Sequence, residues 1–406
     1  MHDTDLFQLA LGLTPPWYVD RTVFDPGERR LDVYIDFEKG GTFPCPECGR
    51  GGAKAYDTTE KVWRHLNFFE HEAYLHVRTP RVECPEHGVK LAEVPWARHG
   101  SGFTLLFEAY VLSLVKEMPV SAVARLVGEH DTRIWRVLGH YVEGARAEAD
   151  FSTVCKVGVD ETASKRGHHY ISLFVDLERS RVLYATEGRD ASVFAAFRGD
   201  LEAHGGTVDA VRELSMDMSP AFQRGAREQF PDADITFDKF HVIRLMNEAI
   251  DQVRRAEQKE RPELKGSRWV WAKNEQNWTA KQRETFEHLS LAQLNLKTAR
   301  AYRIKLALQA FYREPWGRAE DYLKRWYFWA THSRLPEVVA VARTIRRHWA
   351  GVLRYFESHV TNAVLESTNS RIQAARARAR GYRSTRNMIT MLYLICGKLE
   401  LRPLPM

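Results

Sequence analysis

The stretch TVCKVGVDE, Thr153 to Glu161, reads as a buried strand that ends in two acids, Asp160 and Glu161. Behind it, HHYISLFVDLERSRVLYATEG, His168 to Gly188, alternates apolar and polar residues twice around a turn near Glu178 to Ser180, which predicts a hairpin. ASVFAAFRGDLEAHGG predicts a helix stopped by Gly205-Gly206. AVRELSMDMS follows as a strand with Asp217 at its end, then SPAFQRGAREQF as a helix with Ser219 as N-cap and Pro220 behind it. ADITFDKFHV, Ala233 to Val242, predicts a fifth strand. Three strands, a helix, a strand, a helix and a strand imply a mixed sheet covered by helices. Ligands of open sheets gather beyond the carboxyl ends of strands, at or near which Asp160 and Asp217 are expected.

Downstream, residues from about His241 to Tyr355 carry helical patterning and no clear strand, and hold Trp269, Trp271, Trp278, Trp316, Trp326, Trp329 and Trp349. They predict an all-helical insertion whose aromatics mostly pack a core. Next comes TNAVLESTNSRIQAARARARGYRSTR, Thr361 to Arg386. Leu365, Ile372, Ala375 and Ala379 recur at helical spacing, with Glu366, Asn369, Ser370 and Gln373 beside them. Arg371, Arg376, Arg378, Arg380, Arg383 and Arg386 supply positive charge with no further acid, and Gly381 is the expected helix stop. One carboxylate beside such a patch suits a metal-dependent site on a nucleic-acid groove; by itself it also suits a solvated basic helix. MITMLYLICGKL predicts a closing apolar helix containing Cys396.

Upstream, LDVYIDFE and HEAYLHVRTPRVE alternate as strands and lead into Cys45-Pro-Glu-Cys48-Gly and Cys84-Pro-Glu-His87-Gly. A two-residue gap lets one turn present two ligands, and zinc takes four N or S donors in a tetrahedron. Cys45, Cys48, Cys84 and His87 are therefore the expected structural zinc ligands; His65, His71 and His76 lie between the knuckles as alternatives for the fourth. From Thr104 the pattern turns helical. Val120, Val123, Ala124 and Val127 form one short face, Gly128 opens a turn, and Asp131 is read as the cap of a second helix with Ile134, Leu138 and Tyr141 inward. This predicts a helix-turn-helix that offers Thr132, Arg133, Arg136 and His140 to DNA; an ordinary helical hairpin has the same pattern.

At 406 residues the chain has room for two or three domains, and its formal charge of +6 is mild, so clustering matters more than the sum. Five cysteines in so long a chain do not make a secreted disulfide framework. The acidic N-terminus lacks a signal-peptide pattern, and no apolar run approaches the roughly 18 residues needed to span a bilayer. A soluble protein of a reducing compartment, the cytoplasm, is expected.

The region from Val154 to the C-terminus resembles the RNase H-like catalytic domain of bacterial DDE transposases. The whole chain is similar to the insertion-sequence class called the ISL-three family: the CPEC and CPEH knuckles, PVSAVARLVGEHDTRIWRVL, VGVDE, LSMDMSPAF, FDKFHVIRLMNEA, LKGSRWVWAKN and LESTNSRIQAARARARGYRS carry the likeness. The family often has Cys-x-x-Cys at the second knuckle, and a Gly after the Glu of the last motif.

The resemblance implies a multidomain α+β chain. Its parts would be a small zinc-binding β domain (1–100), a helix-turn-helix (101–150) and an RNase H-like mixed-sheet domain (151–245 and 356–406) interrupted by an all-helical insertion (246–355). It implies a transposase that binds terminal inverted repeats, cuts them and joins them to target double-stranded DNA. Asp160, Asp217 and Glu366 would hold two Mg²⁺, with Mn²⁺ able to substitute, while His241 of a D-x-x-H element begun by Asp238 would lie near the scissile phosphate. Arg133, Arg136, Arg371, Arg376, Arg378, Arg380 and Arg383 would contact DNA, and a dimer or larger assembly would hold two ends. A nuclease without strand transfer and a non-catalytic DNA-binding regulator are the competing readings.

Overall fold

The computed structural model describes residues 2–403 apart from 166, 168, 292–295 and 359–362. Thr361 and Asn362 of the arginine-rich stretch, and His168 of the expected hairpin, lie outside the described residues. The chain divides into two compact units, Met1–Arg146 with Leu399–Met406, and Ala147–Lys398.

The first unit opens with helix α1 (Asp3–Ala10) and then strands β1 (Trp17–Asp25), β2 (Arg30–Phe37), β3 (Thr42–Phe43), β4 (Ala53–Phe68), β5 (His71–Cys84) and β6 (Gly88–Leu91). They form a six-stranded sheet in the order β1-β2-β5-β4-β3, with β6 paired to β5. Alternation along β2 buries Leu31, Val33 and Ile35 on one face, where they join Leu75, Val77, Trp63 and Trp17. Helices α2 (Leu105–Glu117), α3 (Val120–Val127) and α4 (Asp131–Ala147) follow. Gly128 stands at φ +72°, which only glycine adopts readily, and so ends α3 and starts the turn into α4. Asp131 is the first helical residue of α4, one place inside the cap position expected from sequence. Fully buried Glu108 of α2 accepts bonds from Arg98, Ser101 and Tyr141 of α4, which locks the two helices.

The second unit contains β7 (Lys156–Ala163), β8 (Tyr170–Asp176), β9 (Arg181–Glu187), α5 (Ser192–Ala203), β10 (Glu213–Met216), α6 (Pro220–Gln229) and β11 (Asp234–Phe237). The sheet order is β11-β10-β7-β8-β9. β7, β8 and β9 form an antiparallel meander, while β10 and β11 run parallel to β7. This is an RNase H-like mixed sheet. Its core includes Phe174, Phe194, Phe197 and Phe222, with the Phe174 and Phe197 rings stacked at 4.2 Å.

Two strand expectations change. β7 does not end at Asp160 and Glu161 but runs on to Ala163, because Asp160 to Ala163 remain paired with β8. The strand read over Ala233 to Val242 stops at Phe237. Asp238 accepts the Phe240 N–H at 3.0 Å and caps a helix, α7 (Lys239–Glu257), so the D-K-F-H-V run is helical.

After α7 come α8 (Arg268–Ala272), α9 (Ala280–Leu291), α10 (Lys297–Phe311), α11 (Trp316–Thr331), α12 (Pro336–Arg347), α13 (Trp349–Leu353) and α14 (Tyr355–Ser358), with no strand among the described residues. Trp271, Trp278 and Trp326 are buried, and each indole N–H donates within this layer. Finally α15 (Ala363–Arg378) packs on β7, and α16 (Thr385–Cys396) packs on β9 and buries Cys396. α15 stops before Gly381, whose N–H returns to the Arg376 carbonyl at 2.9 Å.

Candidate active site and metal centre

β10 ends before β7 does, and that difference makes the site. Glu213, Leu214 and Ser215 pair with Lys156, Val157 and Gly158. Carried two residues further, the register sets Asp217 level with Asp160. On the other side Met216 pairs with Phe237, so one step further sets Asp217 level with Asp238. The Asp238 N–H donates to the Met216 carbonyl at 3.2 Å, which continues the ladder past the end of β11. Asp160 on β7 is thus neighboured by Asp217 and Asp238, which stand just past the ends of β10 and β11 at the mouth of the sheet. Adjacent strands lie about 4.8 Å apart, which brings the three acids within reach of one another's charge.

Burial dominates the electrostatics here, and the neighbouring acids add to it. Burial raises the Asp160 carboxyl to about 6; the Glu161 N–H and His241 oppose this, while Asp217 and Asp238 push the same way. Glu161 is also raised, by burial and then by Asp217, against Arg189, Arg244 and His241. Asp217 accepts the Ser219 N–H at 2.8 Å at the start of α6. His241 lies one turn into α7, with Nδ1 3.6 Å from the Asp238 carboxylate, too long for a hydrogen bond.

α15 is fastened along β7 by a strip of side chains. Asn369 Nδ2 donates to Asp160 Oδ2 at 2.6 Å, Gln373 Nε2 to Thr162 Oγ1 at 2.6 Å, and Arg376 to the Ala163 carbonyl at 2.8 Å. At the near end, buried Leu365 presses on Gly158, where an added Cβ would come within 2.9 Å of Leu365 Cδ1. Glu366 follows Leu365 and is exposed in the first turn of α15. The three expected metal acids are not gathered as tightly as the knuckle donors. Among the described residues, the knuckle set is the one group of His, Cys, Asp and Glu whose donor atoms all lie within 4.8 Å of one another. Two buried polar atoms near the row, His241 Nδ1 and Asn369 Oδ1, have no hydrogen-bond partner in the protein. Hard carboxylate oxygens with orphaned polar atoms beside them suit a hydrated divalent cation.

The knuckle itself fits zinc. Cys48 and Cys84 sulfurs lie 3.8 Å apart, and His87 Nδ1 lies 3.5 Å from Cys84 Sγ and 3.9 Å from Cys45 Sγ. A zinc tetrahedron with bonds of about 2.3 Å to sulfur and about 2.0 Å to nitrogen has edges of about 3.6 to 3.8 Å. The Glu86 N–H and His87 pull the Cys84 thiol down to about 6, toward the thiolate a metal needs. The alternative histidines are placed elsewhere: His65 faces Thr104 Oγ1 at 2.9 Å, His76 bonds Asp32 at 2.6 Å, and His71 packs at a tilt against the Phe24 ring.

The expected DNA-contacting arginines differ in setting. Arg133 is held by Glu129 at 2.5 Å and lies over the Phe103 ring, whereas Arg136 is exposed. Arg371 reaches the Ile395 carbonyl, and Arg376 is tied to β7. Arg378, Arg380 and Arg383 are exposed at and beyond the end of α15.

The transposase model of ISL3 elements matches residues 157–392. This chain belongs to the ISL3 transposase family. Further matches cover 92–142, as the helix-turn-helix domain of transposase family ISL3, and 41–87, as the zinc-finger of transposase IS204/IS1001/IS1096/IS1165. The transposase for insertion sequence element IS1557 of Mycobacterium tuberculosis is 29% identical over 86% of this chain and 85% of that one. The transposase for IS1001 of Bordetella parapertussis is 27% identical over 88% of this chain and 89% of its own. A chain in the simian T-cell lymphotropic virus intasome with PP2A regulatory subunit B56 gamma matches at 15% identity, over 46% of this transposase and 69% of that chain. Its TM-score of 0.17 carries no argument.

Sequence reading gave Asn369 and Gln373 no role. The available signal was their spacing from Glu366, which with Arg376 places four polar side chains on one side of α15.

Proposed function

We propose that this ISL3 transposase binds the terminal inverted repeats of its insertion sequence and carries out Mg²⁺-dependent strand cleavage and strand transfer at the acid row. The observation that supports the reading is the approach of Asp217, just past the end of β10, to Asp160 on β7, whose carboxyl it helps to raise, while α15, the helix that carries Glu366, is bonded to Asp160 through Asn369. Asp160, Asp217 and Glu366 would hold two divalent cations, Mn²⁺ substituting for Mg²⁺. When bound, such ions supply the positive charge that favours the attacking oxygen and the leaving oxygen of phosphoryl transfer.

The chain's own residues do the rest. Asn369 orients the Asp160 carboxylate by donating to Oδ2. His241, its Nδ1 without a protein partner, orients a phosphate oxygen or a water. Water attacks the phosphorus at the element's end, the bond to the 3′-oxygen breaks, and a 3′-hydroxyl is left. That hydroxyl then attacks a target phosphorus at the same site, displacing the target's 3′-oxygen. Residues 151–245 and 356–406 form the cutting domain in this reading. Residues 1–100 and 101–150 hold the DNA end through the zinc fold and the helix-turn-helix, and Arg136, Arg378, Arg380 and Arg383 contact phosphates. A dimer or larger assembly brings two ends together.

The test is cleavage of the DNA flanking this protein's own coding region, with Mg²⁺ and then with EDTA, by wild type and Asp217→Asn. Cuts at inverted-repeat ends that need both the metal and Asp217, with joined products from wild type, support the reading. Cutting that survives in Asp217→Asn overturns it.

A further inference from the structure

A cavity of about 490 Å³ lies between α7 and α8, further along the helix that Asp238 caps. Arg244, Arg254, Arg255 and Arg268 line it against Glu248 and Asp251, so its wall is net positive. Asp251 organises the charge. It bonds Arg254 and Arg255 at 2.8 and 2.9 Å and stands 3.8 Å from Arg268. Arg254 is buried, but Arg255 and Arg268 remain 68% and 56% exposed, two guanidiniums steadied by one carboxylate. Trp269 lies on the same rim, 55% exposed, with the Arg268 guanidinium 5.3 Å from its ring. The buried Trp271 next to it serves the core; Trp269 does not. Asn247 also lines the cavity, and its side-chain oxygen is buried without a partner.

We propose that this cavity takes an unpaired nucleotide of the DNA end, with the base stacked on Trp269, its phosphate on Arg255 and Arg268, and a base amino group donated to Asn247. Each part matches one feature of a nucleotide: an aromatic face for the base, a fork of charge for the phosphate, and a buried acceptor for the base edge. Arg244, which lines the cavity, lies one turn along α7 from His241 beside the acid row. Along α7, Asp251 lies about 20 Å from Asp238 at 1.5 Å per residue. That is about six steps of a DNA strand at 3.4 Å each. The placement rests on the reading that DNA crosses the acid row.

The test compares the full chain's affinity for a blunt duplex end with that for the same end carrying a short single-stranded overhang, in EDTA so that no cutting occurs. Wild type should prefer the overhang about fivefold or more, the range of one stacked base. Trp269→Ala and the double change Arg255→Gln with Arg268→Gln should remove that preference and leave the blunt-end affinity unchanged. Trp269→Phe, which keeps a ring, should retain it. The same preference in Trp269→Ala as in wild type, or none in wild type, overturns the proposal. So does erasure of the preference by millimolar dAMP, which would make the occupant a free nucleotide. Because binding is read without metal, this proposal and the cleavage reading fail separately.

Discussion

Asn369 of α15 donates to Oδ2 of Asp160 on β7 at 2.6 Å, from 209 residues away in the chain. The bond fixes the carboxylate that burial has made reluctant to ionise, and it fixes the helix that carries Glu366. Asn369→Ala should therefore lower single-turnover cleavage by about 10- to 100-fold, the usual loss when a residue that orients a metal ligand is removed. Affinity for the DNA end should not change. Equal cleavage rates would separate Asn369 from the chemistry.

Asp160 gives the apoprotein a pH signature. Its carboxyl titrates near about 6 in the folded protein, against 3.8 for an ordinary aspartate. Between those values the folded state keeps a proton that the unfolded chain has released, so stability falls as pH rises through the window. Above it, the buried charge costs on the order of 2 to 3 kcal/mol. In EDTA, Asp160→Asn should resist urea better than wild type by about that amount at about pH 7.5, and match it at about pH 4. Denaturant titrations at the two pH values read this directly; a variant no more stable than wild type at the higher pH contradicts it.

The zinc knuckle is expected to hold the first unit together. Cys45 is 2% exposed, and its sulfur lies 3.9 Å from His87 Nδ1. Cys45→Ser should remove nearly all bound zinc, open Met1–Arg146 to protease and weaken end binding by about tenfold or more, since structural zinc contributes folding free energy outright. Metal analysis beside limited proteolysis decides the matter. Unchanged zinc content would falsify the ligand assignment.

Leu365 of α15 seats against Gly158 of β7, where there is no room for a side chain. A side chain there meets Leu177 at 2.7 Å and Leu365 at 2.9 Å, from two sides. Gly158→Val should destabilise the second unit by about 1–3 kcal/mol, as overpacking does. It should also slow cleavage more than it weakens DNA binding, because Leu365 precedes Glu366. A urea midpoint equal to wild type would show that α15 can shift without cost.

The legible parts were local. Knuckle spacing within one turn, alternation along β2 and β5, Ser219 with Pro220 at the head of α6, and Gly128 between α3 and α4 each depend on residues a few places apart. The strand read over Ala233 to Val242 failed for a local reason too: Asp238 offers its carboxylate to the Phe240 N–H, and that cap outweighs the β-branched pattern before it. The end of β7 was misjudged because pairing with β8, not composition, decides how far a strand runs.

By itself the sequence determined the zinc donors' spacing, the order of strands and helices, and the place of Asp217 just past a strand end, since strand period and turn chemistry are short-range properties. Only the tertiary structure decided that Asp217 and Asp238 neighbour Asp160, that Asn369 is the partner of Asp160, and that Trp269 faces a charged cavity while Trp271 is buried. Those facts depend on register between strands far apart in the chain and on how Leu365 seats against Gly158. Register and seating are set by packing across the whole sheet, where a shift of one residue would turn every side chain to the other face.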